Sequence, residues 1–440
     1  MSPQCGLRVR RYRHSAEEIS QSVSLYANTA IGFRLSAAVY RHGHLAGAST
    51  NAFRAWVFRI GYYLLKKKSY SPAIEWAWVL DHTIQIGAYR CLAIIGIDLG
   101  QCRQEGQFNV GPQHLHLLDV YLSSDWAWSE VEKRLAYCYG HCGKLPVQIL
   151  SDGGKDLRGA IEAFQQLHCP VASSQDITHY AAQALKELLQ GCAQWKGLVK
   201  AVNTARRKSF QTKLAHLMPA GLRKWSRFLN LDACIESLSK CLAFFDSGPG
   251  LSLLGAAGKH KEAFAPMLAM KGYILQVSQA MKIINGLLRL FKQKGISRRA
   301  VEELQPETLE GQNPQEWGTM AWTVYDKMKA FLQQQAQRLP DDDKPYLAHT
   351  DMIESLFGAY KQKMKVSWLS SFTESVLAMP VLLGGLDAET VREALSQTRQ
   401  EEIQQWFATM VPEGSLLKQR RAAFSAGKQN CGNSSNTNTS

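Results

Sequence analysis

Trp76-Ala77-Trp78-Val79-Leu80-Asp81-His82-Thr83-Ile84-Gln85-Ile86 is an apolar, aromatic and β-branched run with a carboxylate set in its middle. Such residues suit a pleated, half-buried surface, so the run predicts a strand, whereas Asp is among the residues least suited to one. Something other than strand propensity must keep Asp81 there, which marks it as a candidate for chemistry. A Gly87-Ala88 turn separates this run from a second extended run, Tyr89 to Ile97, and His114 to Tyr121 is a third, so the segment predicts an antiparallel meander. Ser129 to Tyr139 then reads as a helix, Pro146 to Ser151 as a buried strand, Leu157 to Leu167 as a helix, Val171 to Ser174 as a short strand and Thr178 to Leu189 as a helix. The order β-β-β-α-β-α-β-α makes the fold class α/β, a mixed sheet in which a hairpin meander is extended by parallel strands through helical crossovers.

Working outward, residues 1–72 predict a helical, helix-turn-helix-like DNA-binding region. Its helices are Glu17 to Ala27, Ile31 to Arg41 and, after a Gly43/Gly47 turn and the N-cap Ser49, Asn51 to Leu65. The last carries Arg54 and Arg59 beside Phe53, Trp56, Phe58 and Ile60, a pattern that turns apolar residues inward and basic ones outward. Beyond the core segment 73–189, residues 190–345 show only helical periodicity and predict a large all-α insertion, closed by the acidic loop Pro340 to Pro345. Residues 346–390 are expected to return to the core, 391–426 to form a C-terminal helical region, and 427–440, almost wholly Asn, Ser, Thr and Gly, to be a disordered tail.

Composition bounds the function. With 440 residues, 45% hydrophobic, 20% charged and a net charge of +14, the chain is neither collagen, coiled coil nor wholly disordered. No apolar run approaches the ~18 residues of a membrane span; Val376 to Leu386 is broken by Pro380 and two glycines. Arg8, Arg10, Arg11 and Arg13 precede Ser15-Ala16-Glu17-Glu18 rather than an apolar stretch, so a cytoplasmic, nucleoid-associated protein is expected. The ten cysteines are irregularly spaced, and Cys138 and Cys142 around His141 have no second pair at metal-ligand spacing, so reduced, buried thiols are expected. Basic clusters recur at Arg8 to Arg13, Lys66 to Lys68, Arg206 to Lys208, Arg223 to Arg227, Arg289 to Arg299, Lys361 to Lys365 and Lys418 to Arg421. Any one is explained as a solvated helix face; together they point to nucleic acid. Aromatics among them, such as Trp195 and Trp225, are expected to pack rather than to stack on bases. The glycine-rich stretch Gly250 to His260 lacks the first glycine and the Ser or Thr of a phosphate-binding loop.

Asp152 ends the strand Val147 to Ser151 immediately before Gly153-Gly154, where functional groups gather in open α/β sheets. Asp156 reads as the N-cap of the next helix. Two carboxylates at the ends of adjacent central strands suit oxygen-preferring Mg²⁺ or Mn²⁺, and a third from a distant helix would complete a two-metal site for phosphoryl transfer. Glu354 is the candidate third, with a competing role: Asp351 and Glu354 have the spacing of a capping box.

Val79-Leu80-Asp81-His82-Thr83-Ile84, Leu150-Ser151-Asp152-Gly153-Gly154-Lys155-Asp156-Leu157 and Ile353-Glu354-Ser355-Leu356-Phe357-Gly358, with the strand order and the long helical insertion, resemble the DDE transposases of bacterial insertion sequences, members of the RNase H-like superfamily. The resemblance implies metal-dependent strand cleavage and transfer at the ends of a mobile element. Asp81, Asp152 and Glu354 would be catalytic and hold two Mg²⁺ or Mn²⁺ ions. It implies terminal-repeat and target DNA as partners, and at least a homodimer on DNA. Asp176-x-x-His179 resembles the supporting element that families with inserted helical domains carry after the second Asp. Lys361, seven residues beyond Glu354, resembles a phosphate-contacting Lys, and Arg54 and Arg59 would join it in holding DNA. The Tyr and Arg that some of these enzymes carry upstream of the Glu are absent, their register holding Leu347 and Thr350. The alternatives are a catalytically inactive or domesticated terminal-repeat-binding protein, and an RNase H-like nuclease or resolvase.

Overall fold

The computed structural model describes residues 13–42, 48–86, 89–111, 114–168, 171–210, 215–217, 231–247, 264–365, 374–412, 414 and 419–424. The expected tail at 427–440, the turns at Gly43/Gly47 and Gly87-Ala88, the stretch Gly250 to His260 and the clusters at 8–12 and 223–227 lie outside them. The chain is mixed α/β and divides into two compact units, one of 1–105, 109–171 and 350–440, the other of 106–108 and 172–349.

The first unit opens with α1 (Ala16–Asn28), α2 (Phe33–His42) and α3 (Thr50–Lys66). Ser15 caps α1 through a reciprocal box with Glu18, and the Ser49 hydroxyl accepts from the Ala52 N–H at 3.2 Å to start α3. Strands β1 (Trp76–Ile86) and β2 (Tyr89–Asp98), helix α4 (Leu99–Glu105), strand β3 (Leu115–Ser123), helix α5 (Trp128–Cys142), strand β4 (Gln148–Ser151) and helix α6 (Lys155–Leu167) follow. The meander expected from the sequence is present, β1 pairing β2 and β2 pairing β3 antiparallel, and β4 joins β1 in parallel, giving the order β3-β2-β1-β4 within this unit. Helix α4 was not anticipated, its seven residues being too few for helical periodicity to show.

Strand alternation sorts the core. Trp76, Trp78 and Leu80 of β1, Leu92 and Ile94 of β2 and Ile149 of β4 pack with Val131, Leu135 and Cys138 of α5 and Leu157, Ile161 and Phe164 of α6 on one face of the sheet. Ala77, Val79 and Asp81 therefore face the other side.

The second unit begins with β5 (Ala172–Gln175) and α7 (Ile177–Leu189), and continues as α8 (Ala193–Ser209), α9 (Leu231–Asp246), α10 (Lys271–Lys294), α11 (Arg298–Glu302) and α12 (Thr319–Arg338). From 190 onward its described regular elements are helical, apart from a two-residue bridge between Ile296 and Tyr346. Tyr180 of α7 stacks on Phe331 of α12 with ring centroids 3.8 Å apart. The chain then returns to the first unit through α13 (Asp351–Lys365), α14 (Met379–Leu382), α15 (Ala388–Gln397) and α16 (Gln400–Met410). No helix among the described residues is long and apolar enough to cross a membrane. The described cysteines are free thiols, six buried and Cys192 half-buried.

Two contacts tie the terminal helices to this unit. Gly61 of α3 lies so close to the segment before α14 that a β-carbon there would sit 1.8 Å from the carbonyl oxygen of Leu377. Gly61→Ala is expected to destabilise the protein by roughly 1–3 kcal/mol although Ala is the better helix former; a thermal melt beside the wild type checks it. Lys363 of α13 is buried, and its ammonium donates to the carbonyls of Tyr26 and Thr29 and, at 3.4 Å, of Ile31, with the Tyr26 ring centroid 4.1 Å away. Tyr26 and Thr29 belong to the end of α1, whose last carbonyls have no partner within the helix. Burial pushes the Lys363 ammonium down to about 8, which leaves it charged at neutral pH. Lys363→Met, which keeps the stem and removes the donor, is expected to cost about 2–3 kcal/mol in urea denaturation, because these carbonyls then stay buried without that donor.

Candidate functional site

The parallel pairing of β1 with β4 aligns Ala77 with Gln148, Trp78 with Ile149, Val79 with Leu150 and Leu80 with Ser151. The next residues on the two strands are Asp81 and Asp152. Two carboxylates that the sequence places 71 positions apart are thus neighbours at the C-terminal end of β4, on strands separated by ~4.8 Å. Both are half-buried. The Asp152 carboxylate accepts from the Gly154 N–H at 2.8 Å. The turn that carries it needs glycine at 153, where φ is +82°.

Helix α13 supplies the third candidate. It packs against β1, and its Tyr360 is near enough to Cys91 of β2 for the two to interact electrostatically; Ala93, two residues beyond Cys91 and on the same face, is the register partner of Asp81. Register partners share a face, so α13 covers the face to which Asp81 belongs. Glu354 sits in its first turn and is exposed, as is Lys361 seven residues later. The helix starts one residue too early for the capping box: the Thr350 carbonyl accepts from the N–H groups of Ile353 and Glu354, so Thr350 holds the cap position and Glu354 is the fourth helical residue rather than the third. Among the described residues, no three His, Cys, Asp or Glu side chains stand gathered as a group that would hold a metal ion.

Asp156 is a correction. Gly154, not Asp156, caps α6; Asp156 lies inside the first turn with its Oδ2 2.9 Å from His82 Nε2. His82 alternates with Asp81 on β1 and faces α6, its ring centroid 4.9 Å from that of Trp126. Burial lowers the His82 pKa, opposed by the carboxylate of Asp156 and more weakly by that of Asp152, while Arg90 adds to the lowering. The pair ties the first turn of α6 to β1 on either side of the Asp152 turn, a contact that spacing along the sequence did not reveal.

In the second unit, Asp176 caps α7. Its buried carboxylate accepts from the N–H groups of Thr178 at 2.5 Å and His179 at 2.9 Å, and the His179 ring nitrogen Nδ1 lies 3.6 Å from its Oδ2. The Asp-x-x-His spacing is therefore at least a helix start whose His stands over its own cap. Of the cations expected on DNA, Arg59 is committed elsewhere: Nε and Nη2 each donate at 2.7 Å, to the carbonyls of Thr398 and Leu395 at the end of α15. Arg54 is half-buried, 5.7 Å from the Phe58 ring. Trp195 is buried, as expected. No protein-family model matches the chain, and no curated protein matches it.

Proposed function

We propose that the chain is a DDE transposase with an RNase H-like core, which cleaves and joins DNA strands at the ends of a mobile element. The observation that carries this reading is the β1–β4 register, which makes Asp81 and Asp152 neighbours at a strand end. The placement of Glu354 on a helix over the face of Asp81 and the charge of +14 agree with it.

In this reading Asp81, Asp152 and Glu354 would hold two divalent cations once the three carboxylates are drawn together, an all-oxygen donor set of the kind Mg²⁺ and Mn²⁺ prefer. When bound, such ions activate the attacking oxygen and stabilise the leaving one in an in-line displacement. The chain's own residues fix the ligands. The β1 and β4 backbones set the separation of the two Asp, the Gly154 N–H orients the Asp152 carboxylate, and His82 with Asp156 steadies the turn between β4 and α6. No covalent link to the protein is required. By the same resemblance the protein works at the nucleoid as a dimer or higher assembly on DNA.

The test is cleavage of donor DNA bearing the element's own ends. Mg²⁺- or Mn²⁺-dependent nicking followed by strand transfer supports the reading. Nicking without transfer makes it a nuclease or resolvase, and binding without cutting under either ion makes it a non-catalytic terminal-repeat protein.

A further inference from the structure

Helix α8 contains no acidic residue and five basic ones, Lys196, Lys200, Arg206, Arg207 and Lys208. Its apolar side, Trp195, Leu198, Val199, Val202 and Ala205, is buried within the helical unit. Lys196, Lys200, Asn203, Arg207 and Lys208 are exposed. Steps of three and four place Lys196, Lys200, Asn203 and Arg207 in one stripe, which runs about 16 Å along the helix.

Several other cations of this unit have carboxylate partners: Lys240 with Glu236 at 2.6 Å, Lys271 with Asp246 at 2.7 Å, Arg289 with Glu310 at 2.9 Å, Arg299 with Glu303 at 2.8 Å and Lys327 with Glu187 at 2.7 Å; Lys186, Lys282, Lys294 and Arg338 are exposed singly on other helices without one among the described residues. Among the described residues none of the five cations of α8 has one. Helix stability explains only part of the pattern. Arg206, Arg207 and Lys208 in the last turn favour the macrodipole, but Lys196 lies near the N-terminal end, where a cation works against it. A line of like charges without counter-charges raises the local positive potential and repels itself, a cost that a polyanion relieves.

The form of the stripe selects the polyanion. A helix that lies on a membrane buries its apolar side in lipid, and that side of α8 is packed inside the protein. A protein partner is gripped by apolar or aromatic anchors at the centre of a patch. The stripe has none, and Phe210, exposed, lies beyond its end. A row of flexible point charges fits a row of phosphates.

We propose that the outer face of α8 is a docking track for the phosphate backbone of double-stranded DNA, engaged without regard to sequence. This rests on the reading of the chain as a DNA-processing enzyme and adds a named surface to it.

The experiment measures binding of the full chain to a fluorescent random-sequence duplex across a salt series. Wild type is compared with Lys196→Gln/Lys200→Gln/Arg207→Gln and with the control Lys240→Gln/Lys271→Gln/Lys327→Gln, which removes the same charge from paired positions outside the basic clusters. Circular dichroism verifies folding of each. Loss of three phosphate contacts is expected to flatten the log–log salt dependence by roughly 3 and to weaken binding about tenfold or more near 0.1 M salt, with the control near wild type. If wild type binds duplex and both triple variants weaken it equally, or neither does, the track is wrong and the enzyme reading stands. If wild type binds no duplex even at low salt, that reading falls first and the track with it. If the α8 variant loses single-stranded RNA, or vesicles containing phosphatidylserine, more than it loses duplex, the face serves another partner and the proposal is overturned.

Discussion

Asp81→Asn, Asp152→Asn and Glu354→Gln are each expected to slow Mg²⁺-dependent cleavage of element-end DNA by about 10³-fold or more, while folding and duplex binding stay as in the wild type. Each change keeps the shape of the side chain and removes the charge on which a divalent cation depends. Losing one ligand of a two-metal site forfeits several kcal/mol of transition-state stabilisation, and 10³-fold corresponds to about 4 kcal/mol. The surroundings tolerate the amides. Asp81 and Asp152 are half-buried, Glu354 is exposed, and the Gly154 N–H at 2.8 Å from Asp152 finds the same oxygen acceptor in Asn. A surface change such as Glu354→Gln is worth no more than about 0.5 kcal/mol in stability. Single-turnover cleavage, with a thermal melt and a duplex-binding titration on each variant, separates lost chemistry from lost fold. Wild-type cutting by Glu354→Gln would remove Glu354 from the site and send the search for a third ligand elsewhere.

The β-rich half was legible because its signals are local. β1 runs from Trp76 to Ile86 as its residue types imply, and α1 and α3 begin where Ser15 and Ser49 offer a capping hydroxyl. The pairing of Asp81 with Asp152 was legible for a different reason: Asp81 sits inside a strand, where propensity disfavours it, and Asp152 directly follows the last residue of β4, where functional groups gather in open α/β sheets. Where a charged side chain makes its contact was not legible. Arg54 and Arg59 look alike on the outward side of α3, yet Arg59 closes the end of α15, more than 300 residues away. Lys361 and Lys363 lie two residues apart on α13, one exposed and the other buried against carbonyls at the end of α1. Tertiary packing decides such assignments, and the local sequence carries no trace of it.

Asp119 sharpens the point, because it carries the same signal as Asp81, a carboxylate inside the apolar run Leu115-His116-Leu117-Leu118-Asp119-Val120-Tyr121-Leu122. In the fold it is an internal ion-pair centre. It is 1% exposed, with Arg134 Nε 2.6 Å from Oδ2 and Lys66 Nζ 3.2 Å from Oδ1. The Arg134 guanidinium lies 4.3 Å and 4.6 Å from the rings of Tyr121 and Tyr137, and the Lys66 ammonium 4.2 Å from that of Tyr137. A carboxylate in an apolar strand thus requires partners, which are either a substrate or metal at an accessible strand end or cations supplied by the fold.

Asp119→Asn is expected to destabilise the protein by about 3–5 kcal/mol, since it leaves two largely buried cations without their counter-charge. Asp119→Leu/Lys66→Met/Arg134→Met, which removes all three charges, is expected to recover most of that loss, because an apolar trio of similar volume needs no desolvation of ions. Urea midpoints for the three proteins check both statements, and a triple variant no more stable than the single one would show that the cations are not the cause. The pH dependence has a definite sign. Burial opposes ionisation of Asp119, but Lys66 and Arg134 more than offset it and hold its carboxyl below the usual range. The contribution of Asp119 is therefore complete above the unfolded carboxyl pKa of ~4 and is lost as pH falls through the lower folded value. Lys66 is raised: burial lowers its pKa, but Asp119 and Tyr137 outweigh it. Its share is complete below the unfolded lysine pKa of ~10.4 and is lost only as pH rises through the higher folded value. In wild type the trio thus stabilises on a plateau between these limits, and in Asp119→Asn the acid-side fall that comes from this carboxyl should be missing while the plateau itself lies lower.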